Sequence, residues 1–184
     1  MIDPAAPRPT RDALATLTHA QLIARYAPGV EAFDPRVLKL SDASLDTAFR
    51  PEANIGRWPC RVLLGHLCDA ELVFTHRLRR VVGEDNPLFA AWDEEAFIDH
   101  ALYGCAEPGP NESVKHPVAA FVAVIHSQRR WMTEWLGTLS DAQWQRKAMH
   151  PERGEQTTRV ILEYATFHLE HHAWYLNAKV QRLA

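Results

Sequence analysis

Apolar residues recur at three and four residue steps through most of this chain, the spacing of one helical face, and nowhere alternate in twos over a useful length. The pattern predicts an all-α protein. A first helix is expected from Thr10, its N-cap, through Leu14, Leu17, Leu22 and Ile23 until Pro28 and Gly29 stop it. A second opens at Trp58 and Pro59 and runs to Gly83, which is placed for a left-handed cap. Its inner stripe is Leu63, His66, Leu67, Ala70, Val73, Phe74 and Val81. A third, capped by Ser113, passes Pro117 in its first turn and carries Phe121, Val124, Ile125, Trp131, Met132 and Trp135 before Gly137. A fourth starts at Thr157 or Thr158 and aligns Ile161, Ala165, His168, His172, Tyr175 and Leu176. Four long amphipathic helices make a four-helix bundle.

The connections read as loops with short helical pieces. Residues 30–57 hold at most a helical turn near Asp42 to Phe49, and the crossing loop 84–113 holds a short helix from Asp93 to Leu102. Ser140 begins another turn, and residues 148–156 read as a loop. The first nine residues include three prolines and are expected to form a loose tail.

With 184 residues, 47% of them hydrophobic and 23% charged, the chain fits a single domain, 1–184, that buries a core. The net charge of -3 comes with no block of like charge, so neither nucleic acid nor an anionic membrane is expected as a partner. The N-terminus lacks an apolar leader, and no apolar span approaches the length of about twenty residues that crosses a bilayer, which points to a soluble, cytoplasmic protein. Cys60, Cys68 and Cys105 are odd in number and lack metal-site spacing. They read as reduced, buried small hydrophobes.

Histidines change the picture. His168 and His172, four apart, stack on one helix face where a core would want leucines, while His171 lies to one flank. His66 occupies the same kind of position midway along the second helix. One such histidine is ordinarily a hydrogen-bonded core residue, but a stacked pair suits chelation. If the second and fourth helices face each other, three neutral nitrogens converge, and three ligands with an open position describe a catalytic metal site rather than a closed structural one. The HLEHH run is not the HExxH of zinc proteases. Leu169 stands where their glutamate would be, and Glu170 turns roughly 200° away, toward solvent.

A Trp-Pro helix start, GHLCDAE around His66, GEDNP, IHSQRRW, HPERG and HLEHH together resemble the DinB/YfiT superfamily of bacterial metal-binding bundles over about residues 45–180. GEDNP and HPERG favour its YfiT-like branch. The resemblance implies a four-helix bundle of unusual helix order, often a homodimer, holding a divalent ion by His66, His168 and His172. Such proteins are described as low-molecular-weight thiol transferases, thiol-dependent isomerases or metal-dependent hydrolases.

Three nitrogen ligands accept zinc or nickel first, with iron or cobalt as alternatives. The small-molecule substrate is then expected to be a low-molecular-weight thiol transferred to an electrophile, with hydrolysis second and an ion that merely staples two helices third. A hydrolase needs a group to take a proton from water, and the candidates are Asp69, His150 and Glu152. Asp69 is expected instead to orient a ligating imidazole, and Glu71 to be a surface charge or ion-pair partner. His150 and Glu152 sit in a loop able to cover the site, but such a pair also suits an ordinary turn before a helix. Tyr164 and Tyr175 could donate hydroxyls yet suit core packing, and His76 and His126 read as exposed or hydrogen-bonded helix residues.

Overall fold

The computed structural model describes residues 1–104 and 115–184. Four helices form the bundle: α2 (His19–Tyr26), α4 (Cys60–Gly83), α6 (Val118–Leu136) and α8 (Thr158–Leu183), joined by the short helices α1 (Asp12–Ala15), α3 (Asp42–Leu45), α5 (Glu94–Asp99) and α7 (Asp141–Trp144). α4 packs against α6 and α8, and α2 closes the ring against the same two. An all-α four-helix bundle is therefore what the period predicted. No helix among the described residues is long and apolar enough to cross a membrane.

The expected first helix is broken in two. Thr18 accepts from the Gln21 amide while the Gln21 side chain accepts from the Thr18 amide, a reciprocal cap that starts a new helix where the apolar spacing ran on unbroken. Gly83 ends α4 with Glu84 extended beyond it, so the left-handed cap is absent there. α6 starts after Pro117 rather than before it, and Ser113, its expected cap, lies outside the described residues. Thr157 caps α8 through the Val160 amide.

Two further departures concern the connection before α8 and the N-terminal segment. Residues 147–157, read mostly as a loop, pair as an antiparallel hairpin of β1 (Lys147–His150) and β2 (Gly154–Thr157), with Gly154 at φ +70° where the turn enters β2. Strands of four residues are too short for alternation to register. The first residues are pinned: the Ile2 amide donates to the Ala32 carbonyl, Asn177 donates to the Ile2 and Ala32 carbonyls, and the Trp174 indole donates to the Ala6 carbonyl.

Buried charges tie the bundle together. Arg129 on α6 donates to Glu71 on α4 at 2.6 Å and to the Tyr26 and Ala165 carbonyls, with both side chains 2% exposed. Glu71 is thus an ion-pair partner inside the core. Glu170 is not solvated as expected: Arg25 on α2 clamps it with two nitrogens. Arg61 joins Asp42, Asp46 and the His116 carbonyl, docking α3 onto α4. Cys60 and Cys68 are free and buried, and burial pushes both thiols up to about 11, which makes them inert at neutral pH. Cys105 lies outside the described residues.

Candidate metal centre

α4 brings His66 across to His168 and His172 on α8, as the apolar stripes required. The His66 and His168 Nε2 atoms are 3.0 Å apart, and one nitrogen from each of the three rings lies within 4.8 Å of the others. For nitrogens about 2.0–2.1 Å from a tetrahedral ion, separations of about 3.3 Å are needed, so a small adjustment closes the set. Ring centroids are 4.9 Å (66 to 168), 4.8 Å (66 to 172) and 4.6 Å (168 to 172) apart.

Burial keeps the three imidazoles neutral. His66 falls to about 4 for that reason, His172 to about 3 through burial and then the positive charge that His66 and His171 would carry, and His168 well below its ordinary value through burial and then His172 and His66. Each therefore offers a lone pair at pH 7. The buried His66 and His172 Nδ1 atoms have no hydrogen-bond partner among the described residues. The three convergent neutral nitrogens fit a divalent ion.

Aromatic rings wall the triad. Trp92 stacks on His66 at 5.4 Å and 16°, Trp58 stacks on His172 at 6.0 Å and 22°, and Phe74 meets His168 edge-on at 5.7 Å. Two cavities flank it. One, of about 350 Å³, is lined by Trp58, His171, His172, Tyr175 and Lys179. The other, of about 510 Å³, is lined by His168, Phe74, Arg77, Trp92, His150 and Glu152, and Glu95 borders both.

The other expected site residues divide. Asp69 does not orient an imidazole: its carboxylate accepts from the Tyr103 hydroxyl at 2.8 Å, and no described residue bonds the outer nitrogen of His66. Three residues on from His66, it points toward the segment crossing α4, and burial raises its pKa while the Tyr103 bond opposes. His150 and Glu152 do reach the wall of the cavity that His168 lines, carried there by the hairpin. His150 accepts the Glu152 amide on Nδ1, and its pKa is lowered by burial and then by Arg77 and Arg153, so its proton sits on Nε2. Tyr164 packs under Arg11 and Arg153, and His76 and His126 are exposed.

Trp92, Glu95 and Arg77 were not among the expected site residues. Trp92 and Glu95 belong to the crossing connection, which carries no candidate chemistry in its pattern. Arg77 sits on α4 among apolar positions, where a buried arginine was the available signal.

Comparisons with known proteins agree with this geometry. A protein of Oceanobacillus iheyensis, provisionally named a metal-dependent hydrolase, is 24% identical over 153 residues, 80% of each chain. YfiT of Bacillus subtilis, provisionally named likewise, is 27% identical over 145 residues, 78% of this chain and 74% of its own. The YfiT structure, described as an unusual four-helix bundle, superimposes with a TM-score of 0.63 at 22% identity over 96% of this chain and 92% of its own. The sequence profile of the DinB superfamily matches residues 5–176, from the pinned N-terminal segment to the last turns of α8, and the chain belongs to that superfamily.

Proposed function

We propose that this chain is a metal-dependent enzyme in which His66, His168 and His172 hold a divalent ion, zinc or nickel first, that activates a low-molecular-weight thiol for transfer to a small electrophile. The observation that carries this reading is the convergence of three neutral imidazoles beside a cavity, with no carboxylate hydrogen-bonded to any of them among the described residues. Bound there, the ion supplies Lewis acidity sufficient to deprotonate a thiol of ordinary pKa about 8.5 without a protein base.

The chain's own residues do the rest. Trp92 and Trp58 cover the imidazole faces and thin the water around the reacting atoms, which strengthens every charge interaction there. A cavity of about 510 Å³ admits a small molecule rather than a macromolecule. His150, neutral with Nε2 protonated, presents a hydrogen-bond donor to the wall of that cavity. It is suited to stabilise negative charge as it develops on the electrophile.

Hydrolysis is the second reading. It is supported by the provisional names of the relatives and by Glu152, a carboxylate on the wall of the cavity that His168 lines and available to take a proton from water. Adding a small thiol to the cobalt-substituted protein separates the two. Thiol activation predicts an intense sulfur-to-metal charge-transfer band. Its absence, with thiol-independent ester or amide cleavage that Glu152→Gln abolishes, would establish hydrolysis instead, and neither response would leave the ion a helix staple.

A further inference from the structure

Arg77 is 7% exposed, yet no carboxylate of a described residue lies within 4.0 Å of its guanidinium. The other two arginines buried to this degree, Arg61 and Arg129, each have carboxylate partners. Among the described residues, Arg77 makes one hydrogen bond, from Nη2 to the Ala90 carbonyl at 2.9 Å, and its guanidinium lies 5.6 Å from the Phe89 ring. These contacts fix the group in place and leave Nε and Nη1 as donors. It lines the same cavity as His168, His150 and Trp92. A buried cation with no described carboxylate in direct contact is costly: burial and then Arg153 lower its pKa, and Glu152 and Glu94, beyond ion-pair distance, offset only part of this. A bracing role toward Ala90 needs one N–H and no charge.

We infer that Arg77 is the anchor for a carboxylate on the small molecule whose reacting group meets the histidine triad, an inference that rests on the triad being a catalytic centre. A planar fork of donors matches a carboxylate in two parallel bonds, and the cavity joins that fork to His168, the triad member that lines it. The remaining wall charges, four carboxylates and one guanidinium, oppose added negative charge and disfavour a dianion more than a monoanion. Arg153 is exposed and reinforces attraction, whereas Asp93, Glu95 and Glu152, also exposed, and half-buried Glu94 repel a dianion such as phosphate. Asp93 is partly occupied in capping α5 through the Ala96 amide. The ligand class is thus a small monocarboxylate that bears its reactive atom at the other end.

The test is calorimetric titration of zinc-loaded protein with 3-mercaptopropionate, its neutral analogue 3-mercapto-1-propanol, propionate and inorganic phosphate. The charged thiol is expected to bind at least about tenfold more tightly than the neutral one, the order expected of a hydrogen bond to a charged partner. Arg77→Met is expected to erase that preference while leaving affinity for the neutral thiol and the melting temperature near wild type. Arg77→Lys, which keeps the stem and charge, retains part of it. Equal affinities for the two thiols in the wild type, or a preference that survives in Arg77→Met, would overturn the assignment, as would phosphate binding more tightly than propionate. Should Arg77→Met not fold, the wild-type comparison and Arg77→Lys decide. Failure of thiol activation is a separate outcome: neither thiol gives a charge-transfer band on the cobalt protein, and propionate binding, weakened in Arg77→Met or absent in the wild type, then upholds or overturns Arg77 as the anchor.

Discussion

His66, His168 and His172 are polar groups held where the chain also needs a core, and their pKa values carry a stability consequence. All three are depressed below the unfolded value of about 6.5. Between that value and about 4, the level to which His66 falls, the unfolded chain binds protons that the folded chain refuses. Stability of the metal-free protein is therefore lost as pH falls through this window, by up to about 1.4 kcal/mol per pH unit for each such histidine, and is untouched by them above neutrality. Melting temperatures of metal-free protein should drop between pH 7 and pH 5, and His172→Phe should flatten the drop. An identical profile in the variant would contradict the assignment of buried neutral imidazoles. The triad was legible in the sequence because four-residue spacing and an apolar stripe are local facts. The partners of Glu170 and Asp69 were not, since Arg25 and Tyr103 are 145 and 34 residues away and only packing brings them near.

At the scale of elements, α4 is the helix on which the site depends, because it carries His66 on one side and receives the segment before residue 105 on another. Gly65 makes that second contact close: a Cβ there would meet Tyr103 Cδ1 at 2.3 Å and Cγ at 2.5 Å. Gly65→Ala should destabilise the fold by about 1–3 kcal/mol, the usual range for overpacking, because Tyr103 must move and loosen its bond to Asp69. Chemical denaturation measures this, and a variant as stable as wild type would show that the crossing segment is not seated on α4. The long helices α4, α6 and α8 were readable from period and punctuation to within a few residues. The break between α1 and α2 was not, because a reciprocal Thr18 and Gln21 cap overrides an apolar rhythm that continues through it. The hairpin escaped for the opposite reason, being too short to have a rhythm.

The whole molecule is a bundle whose ring of helices is locked by the buried ion pair of Arg129 with Glu71 and by the pair of half-exposed Arg25 with Glu170. Breaking such a pair strands a charge, so these residues define the arrangement that sets α4 against α8. The fold and the meeting of the three histidines were legible at this scale; the cavity, with its tryptophan walls and Arg77, emerged only from how the connections fold over the helices. What the account depends on is that α4 and α8 jointly hold one ion. Elemental analysis of purified wild type, His66→Ala and His168→Ala proteins tests this most directly. A site shared by the two helices gives one divalent ion per chain in the wild type and none at stoichiometric level in either folded variant; a full complement of ion in either variant would rule it out.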